Sequence, residues 1–194
     1  TIHRAKSKNV FQKIKSYLTS IPFCDTLPKS LKYLILCDCR EFNEPLDNLP
    51  QLQKLTLMSC VKFNKPLNKL PNTLNLLSLY ACFDFNQPLN QLPQSLQNIK
   101  LSDLRTFTNS LNYLPNDIFK LEISSLCQVN LSYEMLPKNL KLLHIESRKL
   151  TLPLESLPET LKSLIISNFN LKYQSLESLP SQLKTLDLWN CEHA

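Results

Sequence analysis

Three histidines and seven cysteines are the side chains of this chain best suited to acid–base, nucleophilic or metal chemistry. His144 stands two residues before Glu146 and 22 after Glu122. A histidine between carboxylates could shuttle protons or ligate a metal. No nucleophile or third ligand accompanies it, so it reads as a surface histidine. His3 and His193 lie near the termini, where a mobile backbone is expected. Cys37-Asp38-Cys39 could suggest a metal pair, but no second cysteine pair completes a tetrahedral site. Glycine is absent from all 194 residues. That excludes a phosphate-cradling loop, a dinucleotide fingerprint and a G-x-S-x-G elbow. No catalytic residue, no metal site and no cofactor is expected.

The elements that would position these residues are written in a repeat. Leu-Pro recurs at 27, 49, 70, 92, 114, 136, 157 and 179, at intervals of 21 or 22 residues. An L-x-x-L-x-L core follows each copy, from Leu31/Leu34/Leu36 through Leu74/Leu77/Leu79 to Leu183/Leu186/Leu188. Three residues later stand Cys39, Cys60, Cys82 and Cys191. This is the leucine-rich-repeat pattern. In a short strand the two leucines of L-x-L point one way and their neighbours the other. Cys37 then faces outward and Cys39 inward, so the two sulfurs diverge. The inward cysteine column is expected to be small, buried packing residues. Parallel strands need a return path, and a 22-residue coil containing proline leaves room only for extended, polyproline-like or 3₁₀ segments. The fold class is a leucine-rich-repeat solenoid. It has a curved parallel β-sheet on its concave face, short extended or 3₁₀ segments on its convex face and an N-terminal capping helix.

The first three returns share Phe42-Asn43-Glu44-Pro45-Leu46, Phe63-Asn64-Lys65-Pro66-Leu67 and Phe85-Asn86-Gln87-Pro88-Leu89. Followed by x-x-Leu-Pro-x-x-Leu, they closely resemble the FNIP repeat, a leucine-rich-repeat variant of amoebal and giant-virus proteins. The resemblance covers residues 27–194 and weakens to Phe107-Thr108-Asn109-Ser110-Leu111 in the fourth copy. Some members carry an N-terminal F-box. Residues 1–26 show no such pattern, and the ubiquitin-ligase role is not carried over. The Leu-Pro-x-x-Leu rhythm is also similar to the short repeats of bacterial effectors. Phe42, Phe63, Phe85 and Phe107 should stack as an internal aromatic spine, with the asparagines bonding backbone in a return that lacks glycine.

Upstream, Val10, Phe11, Ile14, Tyr17 and Leu18 have helical spacing, with Asn9 before them and Pro22 after. They predict a helix near 10–19 capping the open end of the first coil. The organisation is thus a basic capping segment, 1–26, and an array of eight copies, 27–194, the last incomplete. Residues 1–26 hold five basic groups against Asp25, whereas the rest carries 17 basic and 15 acidic groups. A nearly neutral body lacks the basic stripe of a nucleic-acid binder. No apolar run is long enough to span a membrane. The odd cysteine count, without scaffold-like spacing, points to a reducing, intracellular compartment.

Function is then expected on the outward strand positions. They form three columns of eight, from Tyr33, Ile35 and Cys37 to Thr185, Asp187 and Trp189. Eight strands at about 4.8 Å make a sheet roughly 34 Å across. Its 24 outward residues suit a protein partner, which needs about 20–30 per side. The partner-binding candidates are Tyr33, Ile35, Met58, Leu76, Tyr80 and Trp189, the first five forming with Cys37 an apolar patch in the first three copies. Farther along, Ser102 is expected to face solvent and to tolerate aspartate. The partner is expected to be another protein, with a self-associating array as the alternative because the chain ends mid-repeat.

Overall fold

In a computed structural model, the described residues are 3–6, 23–124, 136–146, 153–168 and 175–191. Among these residues nine parallel strands form one sheet in sequence order: β1 (His3–Lys6), β2 (Tyr33–Cys37), β3 (Lys54–Met58), β4 (Leu76–Tyr80), β5 (Asn98–Ser102), β6 (Lys120–Ser124), β7 (Leu142–Glu146), β8 (Ser163–Ser167) and β9 (Thr185–Trp189). From β2 to β9 every L-x-L copy is a strand, each in register with the next, as in Leu55↔Leu77 and Leu57↔Leu79. The solenoid and its parallel sheet are those expected. The helix near 10–19 lies outside the described residues. His3, expected at a mobile end, belongs to β1, which pairs with β2 from His3↔Leu34 to Lys6↔Cys37. Nothing in the repeat pattern announces that strand.

Two turns close the coils from Leu31 to Phe107 and account for their signature residues. In Leu-Pro-x-x-Leu the proline carbonyl accepts from the leucine N–H three residues on, at 3.0 Å for Leu31, Leu74 and Leu140. The copy starting at 49 is one residue shorter there, and Leu52 N bonds the Pro50 carbonyl instead. The second turn joins Cys to Phe, with Phe42 N donating to Cys39 O (2.9 Å), and likewise Phe63 to Cys60 and Phe85 to Cys82. Among the described residues the returns are extended except for 3₁₀ turns at Phe23–Thr26, Leu154–Ser156 and Leu176–Ser178.

Behind the sheet the leucines form one core in which Leu55, Leu57, Leu77, Leu79 and Leu121 are fully buried. The four spine phenylalanines are also fully buried. Their rings stack nearly parallel, with centroids 5.7, 5.9 and 6.0 Å apart. Strands in a sheet lie about 4.8 Å apart, so each coil is wider at the phenylalanines than at the strands. That wedge bends the array with the sheet inside. The motif asparagines satisfy the backbone of the next coil. Asn43 Oδ1 accepts from Asn64 N (2.9 Å), Asn64 Oδ1 from Asn86 N (3.0 Å) and Asn86 Oδ1 from Thr108 N (3.0 Å).

The residue after the strand has positive φ in six coils: Asp38, Ser59, Ala81, Asp103, Asn168 and Asn190, with φ from 49° to 56°. The N–H groups of the first five extend the ladder, as in Ala81 N to Ser102 O at 3.0 Å. Asp and Asn accept this conformation readily, but alanine there costs roughly 1–2 kcal/mol. Glycine would remove that strain at an entropy cost of about 0.4–1 kcal/mol. Ala81→Gly is therefore expected to raise unfolding stability by about 0.5–1 kcal/mol, and Asn168→Gly by less. Urea midpoints of the two variants check this.

Two outward positions are more covered than the alternation implies. Cys37 is 8% exposed and Ser102 is 7% exposed. Cys37 lies beside Met58, Sγ to Sδ 3.8 Å. Ser102 is a small residue between Tyr80 and Ser124, and its Oγ accepts the Ser124 hydroxyl at 2.6 Å. The expectation that aspartate is tolerated at 102 does not stand, because the carboxylate would be buried.

Candidate functional site: the concave sheet

The strand frame places five of the six candidate residues on three adjacent strands. Tyr33, Lys54 and Leu76 share one column, Ile35, Thr56 and Ser78 the second, and Cys37, Met58 and Tyr80 the third. The apolar patch is therefore interrupted: Lys54 and Thr56 stand inside it, and the Lys54 ammonium lies 5.4 Å from the Tyr33 ring centroid. Met58 and Tyr80 are neighbours and remain 38% and 42% exposed. Tyr33, Ile35 and Leu76 are half-buried. Trp189 is exposed on β9, five strands beyond β4, and is not part of the patch.

Farther along the sheet is a charge cluster that the sequence reading did not single out. Glu122 on β6 binds Lys100 of β5 at 2.8 Å and Lys120 of its own strand at 2.7 Å, one lysine to each carboxylate oxygen. The signal was present, since Lys100 and Glu122 stand one repeat apart. With Thr56, Leu76, Ser78 and Asn98 these groups line a hollow of about 400 Å³. Burial raises the Glu122 carboxyl, but the bonds and charges of Lys100 and Lys120 outweigh it and hold the group below the ordinary carboxylate value. A carboxyl depressed in the folded state stabilises above its unfolded pKa of about 4.3, and that stabilisation is lost as pH falls through the folded value. Between about pH 5 and pH 3 the native protein should thus lose more stability than Glu122→Gln, and the two should converge at the acid end. Denaturant midpoints against pH measure this.

The residues first suspected of chemistry are otherwise engaged. His144 stands next to Glu122 in the register, but both oxygens of Glu122 face lysines, and Glu146 accepts from Asn168 (3.4 Å). The sulfurs of Cys37 and Cys39 diverge as expected: Cys37 Sγ reaches Met58, while Cys39 Sγ donates to the Cys37 carbonyl. In the inward column Cys60 Sγ bonds the carbonyls of Leu36 and Met58, and Cys82 Sγ those of Leu57 and Tyr80. Burial pushes the Cys82 thiol up to about 12. The neighbouring Cys39, then burial, raises Cys60. Protonated and enclosed, the Cys60 and Cys82 thiols are packing groups, not nucleophiles. Among the described residues no cluster could hold a metal ion, and no helix is long and apolar enough to cross a membrane.

A parallel sheet built from L-x-L strands, with cysteine and phenylalanine columns behind it and short returns, is a solenoid of the leucine-rich-repeat type. Among solved structures, CroV588, described as a novel circular LRR protein, is 28% identical to this chain with a TM-score of 0.72. The likeness covers 90% of this chain and 26% of that one, so the chain spans about a quarter of that protein's length. No protein-family model matches the chain, and no curated protein matches it.

Proposed function

We propose that the chain is a non-catalytic protein-interaction module that holds a partner on its concave sheet, as a substrate receptor within a larger assembly. The observation that carries this reading is the exposed Met58–Tyr80 pair at the centre of the sheet's first strands. Tyr33, Ile35 and Leu76 surround it, and Trp189 supplies a second, separate contact. Buried side chains hold the coils together, which leaves most of the outward columns free of structural duty. The spine and the asparagine ladder support an FNIP-type origin. The six described cysteines are free thiols, which supports a reducing, intracellular setting.

Affinity capture from a host lysate tests the reading. Tyr33→Ala combined with Tyr80→Ala should keep the fold and lose the partner, whereas Ser163→Ala with Ser167→Ala should keep both. If the tyrosine variant melts much lower and still captures, the patch is internal packing. A second reading is self-association through β9, favoured by Leu176, Leu186 and Trp189, which are 48%, 37% and 66% exposed. Light scattering decides it: concentration-dependent dimers support it, and a monodisperse monomer removes it.

A further inference from the structure

One position just before each strand forms a further column at the sheet's rim. Hydrogen bonds stack it coil on coil: Gln53 N to Lys32 O, Asn75 N to Gln53 O, Gln97 N to Asn75 O and Phe119 N to Gln97 O. It continues with Lys141 N to Phe119 O (2.9 Å), Lys162 N to Lys141 O (2.9 Å) and Lys184 N to Lys162 O (2.8 Å). After Lys32 the column is uncharged through Gln53, Asn75, Gln97 and Phe119, and then holds three consecutive lysines, all exposed. Among the described residues none of the three forms a salt bridge. Glu159, the carboxylate nearest in sequence to Lys162, accepts from Ser181 at 3.4 Å. Adjacent like charges on neighbouring strands oppose folding, so the fold itself does not call for this row.

The opposite side of the same strands carries the opposite sign. On β7 to β9 the second and third columns contain Glu146 and Asp187 and no lysine or arginine. A strand advances about 3.3 Å per residue, so Lys141 and Glu146, five residues apart, stand roughly 17 Å apart along β7. Over β7 to β9 the concave face is positive where the strands begin and carries carboxylates, Glu146 and Asp187, farther along them. A uniform polyanion such as RNA, laid across it, would meet those carboxylates. A polypeptide can place carboxylates on one side only.

We propose that Lys141, Lys162 and Lys184 form a docking rail for an acidic polypeptide segment running along the solenoid axis at the strand-start rim of β7 to β9. This rests on the concave-face reading above and names the charge of the partner. The apolar anchor on β2 to β4 and the rail on β7 to β9 are separated by about five strand spacings, roughly 24 Å. One extended segment of about seven residues would bridge them.

The test uses the full chain and a fluorescein-labelled decapeptide of glutamate, read by anisotropy, beside an oligouridylate of equal length. The peptide should bind more tightly than the oligouridylate and weaken with salt. Lys141→Gln/Lys162→Gln/Lys184→Gln should weaken peptide binding about tenfold, since each exposed pair contributes modestly. Lys29→Gln/Lys62→Gln/Lys69→Gln removes the same charge from other exposed sites and should leave binding nearly unchanged. Equal losses in the two variants, no loss in the first, no peptide binding, or tighter oligouridylate binding would each overturn the rail. If Tyr33→Ala/Tyr80→Ala abolishes capture while the glutamate peptide ignores the lysine row, the rail fails and the concave-face reading survives. The converse result separates them the other way.

Discussion

Leu79→Asp is expected to abolish the folded array. Leu79 is fully buried in β4, in register with Leu57 on one side and Leu101 on the other. Removing a buried leucine side chain costs about 2–5 kcal/mol through lost burial and the cavity left behind. An unpaired carboxylate in that site adds several kcal/mol more. Single domains are stable by about 5–15 kcal/mol, so the sum takes most or all of the reserve. A solenoid also depends on contacts between neighbouring coils, and this position joins the coils before and after it. Circular dichroism should show the loss of the sheet or a melting temperature lowered by tens of degrees. Leu79→Met, which keeps volume, should cost less than about 1.5 kcal/mol. An aspartate variant that melts like the native chain would mean that Leu79 does not face the core, and the inward frame of every strand would fail with it.

The strand frame was legible because side-chain direction alternates with period two and the repeat fixes its phase. Once Leu34 and Leu36 point inward, Tyr33 and Ile35 must point outward. The spine and the asparagines were legible because a residue type recurring every coil stacks on itself. What escaped was set by neighbours across strands. Ser102 is outward by alternation, yet its size and the Ser124 hydroxyl leave it covered. Tyr33 is outward by alternation and a partner-binding candidate, yet Lys54, its register partner, lies over the ring. Strand β1 carries no leucine signature, so no pattern distinguished it from the segment thought to cap the first coil. The lysine rim was missed for a simpler reason: the outward columns began at the first strand residue, one place after it. The positive-φ positions were hidden because glycine, their usual marker, is absent, and Ser59 and Ala81 take the place instead.

Phe85→Ala should produce the second large loss, without touching the sheet. Phe85 sits between Phe63 and Phe107 with ring centroids 5.9 and 6.0 Å away and interplanar angles of 1° and 6°. Truncating a buried phenylalanine costs about 3–5 kcal/mol, and stacked pairs contribute about 0.5–1.5 kcal/mol beyond area. Both neighbours lose a face at once, so the upper end of the range is expected. The asparagine ladder beside it, Asn64 to Asn86 to Thr108, offers backbone bonds but no volume to fill the gap. Phe85→Leu retains much of that volume and should cost less than half as much. The pair Phe63→Ala with Phe85→Ala should be less damaging than the sum of its single changes by about 0.5–1.5 kcal/mol, because the stacking between them is lost only once. Urea denaturation of the three variants and the double variant supplies all the needed values. Strict additivity would show that the rings fill space independently, and a Phe85→Ala loss below about 1 kcal/mol would remove the spine from the account of stability altogether.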